Sequence, residues 1–322
     1  MSSNNTSILI TGAGGFIGQE LAAALSSSFP DATLTLTDVF EPPIPPNTNS
    51  SNIKSIKSDL TNPDSISSLF STPYTACYLL HGIMSGGAEA NLDLGLKVNL
   101  DSHRMILDFL RVNHPGAKVI FPSSTAVYGP DEPGQMMTEK TQPLPQSSYG
   151  TEKLMIELLL NDYSRRGLLD GRIVRLPTVI VRPGKPSAAA SSFASGIVRE
   201  SLKGEKNILP VREDLKMWVC SPRTVVKNLV YVMDVPKEKF GTSRVVNLPG
   251  QTVTVAEILE ALEKVGGKEK RDLVEKKRDE KIETIVESWP TNLDAARARE
   301  LGMMDDVDLS ETVQVFADSL KS

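Results

Sequence analysis

The sequence predicts an α/β fold in which a doubly wound parallel sheet is followed by a smaller C-terminal α/β region. Three observations support this prediction. Short apolar runs alternate with amphipathic stretches in the first half of the chain, which is the pattern of parallel strands covered by helices on both faces. That alternation is lost after about Val181. The length of 322 residues, of which 40% are hydrophobic and 23% charged, suits about two packed units.

Each predicted strand is a short apolar run, and each predicted helix has apolar residues at intervals of three or four. The predicted strands are residues 7–11, 33–37, 53–57, 76–80, 118–122 and 172–181. The predicted helices are residues 16–27, 92–113, 149–166, 222–233 and 255–265. Prolines, asparagines and serines at 41–52 indicate an exposed loop, and the Pro/Gly/Ala/Ser stretch at 181–196 leads into a further helix.

The composition excludes several classes of function. Forty Asp and Glu residues outnumber 35 Lys and Arg, and a formal net charge of −5 does not attract nucleic acids or anionic lipids. The two cysteines, Cys77 and Cys220, show no metal-ligand spacing, so neither a metal site nor a disulfide framework is expected. No run of 18 apolar residues and no signal sequence is recognisable. We therefore expect a cytoplasmic protein with no membrane or nucleic-acid partner.

The sequence TGAGGFIG, which follows the first predicted strand and opens the first predicted helix, predicts dinucleotide binding. Gly12, Gly15 and Gly18 allow a tight turn, a close approach of the backbone to a pyrophosphate, and close packing of the helix on the strand. The helix N-terminus then presents free N–H groups to the anion. Phe16 and Ile17, which begin the helix, belong to the same predicted site.

An acid at the end of the next strand indicates which dinucleotide is bound. Asp38 lies about 20 residues after Gly18, where a carboxylate can accept hydrogen bonds from the adenosine ribose and repels a 2′-phosphate. No Arg or Lys adjoins it in the sequence. The predicted cofactor is therefore NAD, with NADP as the alternative.

Tyr149 and Lys153, in the sequence SYGTEK, lie four residues apart, so a helix places both side chains on one face. An ammonium and a cationic nicotinamide near a phenol lower its pKa toward the working range of a general base. Upstream, residues 123–125 carry hydroxyls just after a predicted strand, where open α/β sheets bind ligands. Ser124 is predicted to hold the reacting oxygen beside Tyr149.

On these residues the chain resembles the extended short-chain dehydrogenases/reductases, a family that includes nucleotide-sugar epimerases and dehydratases. The resemblance spans nearly the whole chain, and Ser124, Tyr149 and Lys153 resemble the family's catalytic triad. It implies Asn99 as a further catalytic residue, toward whose backbone the proton leaves. The resemblance implies additional cofactor contacts at Asp59, Leu60, Leu80, Gly82, Asn99, Tyr149, Lys153 and Pro177. His81 and Gly82 depart from the family pattern, which usually has alanines there.

The resemblance also implies how the chain is divided. Residues 1–175 are expected to form an NAD-binding Rossmann domain, to which residues 223–247 return. Residues 176–322 are expected to form mainly the substrate-binding region. By the family's habit, two copies of the chain are expected to associate as a homodimer through two helices per subunit.

Three stretches, residues 81–95, 176–200 and 217–226, resemble the D-erythronate dehydrogenase subgroup of that family. The resemblance implies NAD-dependent oxidation of the C2 hydroxyl of a short sugar acid to the 2-oxo acid. In that reaction Tyr149 is the general base and the hydride passes to the nicotinamide C4. The expected partner is thus a small-molecule hydroxy acid.

A hydroxy acid needs an anion clamp, and the forked guanidinium of Arg matches a carboxylate best. Arg182 and Arg223 are both candidates, and the sequence does not choose between them. The other residues predicted to contact substrate are Ser85, Ser124, Thr125, Tyr149, Thr178, Ser192 and Trp218.

Two alternative functions fit the same motifs. A nucleotide-sugar 4-epimerase or 4,6-dehydratase would keep NAD tightly bound, but it needs contacts for a nucleotide diphosphate. No cluster of several Lys or Arg residues accompanies residues 181–196. A non-catalytic NAD-binding protein would have a broken triad, whereas all three residues are present here.

Overall fold

Strands and helices alternate through the first 176 residues of the computed structural model, which describes residues 6–184, 186 and 188–321. The strands are Ser7–Thr11 (β1), Thr33–Asp38 (β2), Ile53–Lys57 (β3), Ala76–Leu79 (β4), Lys118–Ser124 (β5), Asp170–Leu176 (β6), Thr178–Val179 (β7), Asn207–Leu209 (β8), Lys216–Cys220 (β9), Val245–Asn247 (β10), Gln251–Thr254 (β11) and Val274–Lys276 (β12). The α-helices are Phe16–Ser28 (α1), Pro63–Leu69 (α2), Ser85–Ala90 (α3), Leu92–Gly95 (α4), Ser102–Asn113 (α5), Ser148–Arg165 (α6), Ser192–Lys203 (α7), Pro222–Val232 (α8), Val255–Gly266 (α9), Lys268–Arg271 (α10), Glu280–Glu287 (α11), Ala296–Glu300 (α12) and Leu309–Ser319 (α13).

The described residues form a parallel seven-stranded sheet with the strand order β10-β6-β5-β4-β1-β2-β3. The order reverses between β1 and β4, because the chain first winds outward to β3 and then crosses back. Open sheets of this kind form a crevice at the carboxyl ends of the strands where the winding reverses. The predicted doubly wound α/β fold class is confirmed.

Successive residues of a strand point to opposite faces of the sheet, and β1 shows how both faces are buried. Ile8 and Ile10 pack into one core together with α1 and α8, whereas Leu9 packs into another together with α2, α5 and α6. All three side chains are fully buried. Continuous apolar runs, rather than alternating ones, are therefore the signature of these strands.

The predicted strand at 172–181 is wrong in its second half. β6 ends at Leu176, and β7 pairs with β9 in a different sheet. Pro177 lies between them and has no N–H to donate to a ladder, so the strand that enters it cannot continue unchanged. The predicted helix at 92–113 is also interrupted, because residues 96–101 form a π-helical turn between α4 and α5.

The later chain builds a second core beside the large sheet. Among the described residues, β11, β9 and β7 form a three-stranded sheet, and β12 pairs with β8 in a two-stranded one. Helices α7, α9 and α13 bury apolar side chains against these strands. Two elements of the later chain serve the first sheet instead: β10 pairs with β6 at its edge, and α8 packs against α1.

Within the ranges that the structure describes, no helix has the length and hydrophobicity needed to cross a bilayer. Cys77 and Cys220 are both buried as free thiols. No group of three or more potential metal ligands converges in the described part of the chain.

Candidate active site

The glycine turn after β1 brings backbone, rather than side chains, to the crevice. Gly12 has φ +66°, a left-handed conformation that glycine adopts without strain. A methyl group there would also come within 2.6 Å of the His81 backbone nitrogen, and one at Gly18 would come within 2.5 Å of the Gly12 carbonyl oxygen. The chain is thus close-packed around the N-terminus of α1, whose free N–H groups suit an anionic ligand.

Asp38 is the last residue of β2 and lies at the crevice beside the glycine turn. Its carboxylate accepts hydrogen bonds from the Gly14 N–H (3.0 Å) and the Val39 N–H (2.8 Å), which fix its orientation. Asp59, after β3, accepts from the Thr61 N–H and hydroxyl (2.9 and 2.8 Å), and these bonds lower its pKa. Both acids line the same cavity as the glycine turn, so the residues present fit an adenosine dinucleotide.

One cavity of about 720 Å³ runs along the carboxyl ends of the first sheet. Of the predicted cofactor residues, it is lined by Gly12, Gly15, Phe16, Ile17, Gly18, Asp38, Asp59, Leu60, Leu80, Gly82, Tyr149, Lys153 and Pro177. Of the predicted substrate residues, it is lined by Ser85, Ser124, Thr125, Tyr149, Thr178 and Arg182. The fold therefore brings the two predicted sets together in a single crevice.

Helix α6 carries Tyr149 and Lys153 in its first turns. Ser147 caps it by accepting a hydrogen bond from the Gly150 N–H (3.2 Å), and Gly150 lies directly against the Ala126 carbonyl oxygen. This close approach sets Tyr149 beside the end of β5, where Ser124 lies. The Lys153 Nζ is 5.7 Å from the Tyr149 ring centroid and donates a hydrogen bond to the Pro122 carbonyl (3.0 Å).

The pKa values of this pair differ from the sequence expectation. Burial raises the pKa of Tyr149 to about 12, and the neighbouring Ser124 hydroxyl and Arg182 guanidinium oppose that rise. Burial lowers the pKa of Lys153 itself to about 8, although Glu157 and Glu152 oppose this.

Asn99 was predicted as a catalytic and cofactor residue, but among the described residues it does not line the cavity. It is fully buried in the π-helical turn. Its amide oxygen accepts from the Ile83 N–H (2.7 Å), and its amide nitrogen donates to the Ile83 carbonyl (3.0 Å) and to Glu152 (2.6 Å). Asn99 therefore fixes the loop after β4, which forms one wall of the cavity.

The sequence did not predict that two imidazoles stack here: His81 belongs to the cavity wall, and His103 is buried against it. The rings of His81 and His103 are 3.9 Å apart and nearly parallel. The His81 Nδ1 is 2.7 Å from the Thr11 hydroxyl, and its Nε2 is 2.9 Å from the Ser102 hydroxyl. Burial lowers the pKa of His81 to about 3, so the ring is neutral at physiological pH.

Arg182 enters the cavity from the later chain. Its backbone N–H donates to the Ser195 hydroxyl (3.1 Å), and its carbonyl accepts from the buried Arg199 (2.9 Å), which also pairs with Glu200. Its side-chain Nε is buried and has no hydrogen-bond partner among the described residues. The guanidinium thus faces the crevice with unused donor capacity, as an anion clamp requires.

Three predicted substrate residues lie elsewhere, and the cavity walls in the described chain do not include them. Arg223 is exposed in the first turn of α8, because Ser221 caps that helix and Pro222 begins it. Trp218 is buried in β9 beside a separate cavity of about 10 Å³. Ser192 begins α7, and its neighbour Ser191 lines the main cavity instead.

Several cavity residues were missed by the sequence reasoning. Lys97 lines the cavity and lowers the pKa of Asp59, and Trp289 reaches it from the loop after α11. Neither residue carries a local signal, because folding alone brings segments so distant in sequence to one cavity.

Comparison with known proteins finds relatives along nearly the whole chain. The profile of the NAD dependent epimerase/dehydratase family matches residues 8–237. The D-erythronate dehydrogenase of Cupriavidus necator is 42% identical over 318 residues, which cover 96% of this chain and 97% of that protein. The D-erythronate dehydrogenase of Haemophilus influenzae is 40% identical over 311 residues, covering 96% and 98%. The crystal structure of the nucleoside-diphosphate-sugar epimerase from Agrobacterium tumefaciens has a TM-score of 0.89 and 37% identity, covering 98% of this chain and 94% of that one.

Proposed function

Because the chain belongs to the NAD dependent epimerase/dehydratase family and is a dehydrogenase of its extended short-chain branch, we propose that it uses NAD to oxidise the C2 hydroxyl of a short sugar acid, D-erythronate or a close analogue, to the 2-oxo acid. The observation that carries the proposal is the placement of Ser124, Tyr149 and Arg182 in one crevice with the glycine turn. The turn holds a dinucleotide, the hydroxyls hold an alcohol and the guanidinium holds a carboxylate.

The cofactor side of the crevice favours NAD. The glycine turn and the N-terminus of α1 would hold the pyrophosphate, and Asp38 would hold the adenosine ribose. Because Asp38 is fixed by two backbone N–H groups, a 2′-phosphate would meet a carboxylate that cannot turn away. When bound, NAD supplies a hydride acceptor at its nicotinamide C4.

The chain's own residues would orient the alcohol and take its proton. Ser124 would donate a hydrogen bond to the substrate oxygen and hold it beside Tyr149. Tyr149, as phenolate, would accept the hydroxyl proton, and Ser124 and Arg182 both favour that ionised form. Lys153, with a pKa of about 8, is mainly an ammonium at neutral pH and would donate hydrogen bonds to the nicotinamide ribose.

Arg182 would bind the substrate carboxylate and thereby select hydroxy acids over simple alcohols. A forked guanidinium can form two parallel hydrogen bonds to a carboxylate, which fixes both position and orientation. The backbone of Arg182 is itself held by Ser195 and Arg199, so the clamp is pre-organised.

An assay of purified protein with NAD and a series of four- to six-carbon aldonic acids tests the proposal through NADH formation. We expect D-erythronate to give the highest kcat/KM. Lack of turnover with every tetronate and pentonate would refute the substrate assignment. Turnover of nucleotide sugars without added cofactor, together with stoichiometric NAD released on denaturation, would instead support the epimerase or dehydratase alternative.

A homodimer is part of the same proposal. Three apolar residues lie exposed on neighbouring helices: Val112 on α5 (65% exposed), and Met155 (43%) and Leu158 (64%) on α6. Apolar helix faces of this kind suit a two-fold interface in which each patch meets its own copy. Light scattering should give twice the chain mass, and Leu158→Arg should give a monomer. A monomeric wild-type protein would contradict the proposal.

A further inference from the structure

Glu152 lies on α6 between Tyr149 and Lys153, and the proposed reaction does not use it. The residue is 1% exposed. One carboxylate oxygen, Oε2, accepts a hydrogen bond from the Asn99 amide at 2.6 Å. The other, Oε1, is buried and has no hydrogen-bond partner among the described residues. A buried carboxylate with an unused acceptor is costly, so its retention beside the catalytic pair needs a reason.

The chain makes room for this carboxylate instead of neutralising it. A methyl group at Gly95 would collide with Glu152 Oε1, so the small residue in α4 leaves the space that the carboxylate occupies. One turn further along α6, Glu157 is buried as well, but three hydrogen bonds from Arg175 (2.6–3.2 Å) satisfy it. The structure thus pairs one buried carboxylate of α6 with a cation and leaves the other bonded only to the Asn99 amide among the described residues.

We propose that Glu152 is a positioning residue of the active site, whose carboxylate locks the Asn99 amide against the cofactor wall and places a negative charge next to Tyr149 and Lys153 on α6. The proposal deepens the proposed dehydrogenase function and rests on it where turnover is concerned. The role of Glu152 in fixing the Asn99 amide depends only on the contacts of Asn99.

The locking role follows from the hydrogen bonds of Asn99. Its amide oxygen accepts from the Ile83 N–H, while its amide nitrogen donates both to the Ile83 carbonyl and to Glu152. An acceptor at Glu152 therefore fixes which way the amide points, because a flipped amide would face oxygen with oxygen at both positions. Ile83, which lines the cavity between Gly82 and Met84, is bonded through both its N–H and its carbonyl to this one side chain.

The charge role follows from the groups around Glu152. Lys153 and Tyr149 adjoin it on α6, and Glu89 faces it from α3. Its charge raises the pKa of both Tyr149 and Lys153. Removing that charge therefore makes both groups give up their protons at lower pH.

The other groups that face this pair are fixed in charge or lie further along the helix. Arg182 faces Tyr149 from the later chain, and Glu157 faces Lys153 from the next turn of α6. The charge of Lys153 also acts on His81 and His103, and burial keeps both imidazoles neutral. None of these contacts is altered by a substitution at position 152.

Three variants separate the two roles. Glu152→Gln keeps the size and an acceptor oxygen but removes the charge, whereas Glu152→Met removes both. Glu89→Gln is the matched control, because it removes an exposed, solvent-screened charge near the same helix while its amide oxygen can still accept the hydrogen bond from the Ser148 N–H. We expect Glu152→Gln to shift both limbs of the kcat/KM–pH profile down by about one pH unit while NAD affinity is unchanged. We expect Glu152→Met to weaken NAD binding about tenfold as well.

A second readout needs no substrate. The ionisation of Tyr149 in the NAD complex is followed by ultraviolet difference titration of tyrosinate, with the Tyr149→Phe protein subtracted. The apparent pKa should fall by about the same unit in Glu152→Gln and stay constant in Glu89→Gln. If wild-type protein proves inactive on every sugar acid, the proposed substrate fails, but this titration and the NAD affinities still decide the role of Glu152.

Two outcomes would overturn the proposal. A Glu152→Gln titration that superimposes on the wild-type curve would show that the carboxyl carries no charge in the folded protein. Equal NAD affinity for Glu152→Met and wild type would show that the Asn99 contact does not hold the cofactor wall. If Glu152→Met does not fold, as judged by thermal unfolding, Asn99→Ala takes its place, because it removes the same hydrogen bond from the other side together with the two bonds to Ile83.

Discussion

The two sides of the crevice are built in different ways. On the cofactor side, Gly12, Asp38 and Tyr149 each lie at the end of a strand or in the first turn of a helix of one regular sheet unit. On the substrate side, Arg182 and Trp289 come from loops more than 100 residues apart, and contacts with neighbouring side chains hold Arg182 in place.

This difference explains how proteins of one fold can bind the same cofactor and yet act on different substrates. The cofactor residues are fixed by the geometry of strand, turn and helix, so a change there disturbs the sheet itself. The substrate residues sit on segments that regular pairing does not constrain. Specificity can therefore vary on one side of the crevice while the chemistry on the other is retained.

The largest expected effect tests the border between the two sides, where Tyr149 lies. Tyr149→Phe removes only the phenolic oxygen, so kcat should fall about 10³-fold. NAD affinity should stay the same, since the glycine turn and Asp38 are untouched. Steady-state kinetics and fluorescence titration with NAD measure the two quantities. Turnover within tenfold of wild type would show that another group is the base.

A substitution on the substrate side should separate binding of the acid from binding of the cofactor. Arg182→Gln removes the cation that faces the cavity, and we expect kcat/KM for the hydroxy acid to fall about 100-fold at constant NAD affinity. Arg223→Gln is the matched control. Because Arg223 is exposed on α8 outside the cavity wall, its loss should change kcat/KM by less than about twofold. The reverse result would make Arg223 the clamp.

A substitution on the cofactor side should change the choice of dinucleotide and leave the choice of acid alone. Asp38→Asn removes the charge that repels a 2′-phosphate and weakens the ribose contact. We expect KM for NAD to rise about tenfold and the ratio of kcat/KM for NAD over NADP to fall. The relative rates with four- and five-carbon acids should not change. An unchanged cofactor ratio would mean that Asp38 does not contact the ribose.

The smallest effect is on stability, and it should originate on the cofactor side, where His81 lines the cavity. The folded state holds the pKa of His81 at about 3, far below its usual value near 6.5. Between these values the unfolded chain binds a proton that the folded chain does not, so stability is full above pH 6.5 and declines as pH falls. Because proton binding is linked to unfolding, the free energy of unfolding should be about 2 kcal/mol lower at pH 5 than at pH 7.

The measurement is the change in Tm between pH 7 and pH 5. Wild type should lose roughly 4 °C from this group, and His81→Gln should lose less. His114→Gln serves as the control, because His114 lies at the end of α5, bonded to the Phe70 carbonyl, away from the cavity. Equal acid sensitivity in all three proteins would argue against a buried neutral His81.

The sequence was informative wherever local rules apply. The turn at Gly12, the acid at Asp38 and the spacing of Tyr149 and Lys153 each follow from the geometry of one strand or one helix. The strand at 172–181 was mispredicted because β-propensity continues past Pro177 although the hydrogen-bond ladder cannot. The fold class was predicted from the alternation of strands and helices, so the error in the end of this one strand did not affect it.

Tertiary contacts were beyond the reach of the sequence. The sequence does not distinguish Arg182 from Arg223 as the anion clamp. In the structure Ser221 caps α8, and Arg223 lies in the first turn of that helix, outside the crevice. The direction of Lys153 and the placement of Glu152 depend on Pro122, Asn99 and Gly95, which lie 31, 53 and 57 residues away. No local pattern encodes such contacts.

The return of α8 and β10 to the first sheet has a consequence for how the protein unfolds. Leu229 and Val246 from the later chain complete the core beneath β1, and Leu301 and Met303 extend it. A fragment that stops after β6 would leave this apolar surface facing water, so it would not persist as an independent folding unit. Heat is therefore expected to melt the chain in one cooperative transition, and a ligand bound at the glycine turn is expected to protect distant C-terminal amides from hydrogen exchange.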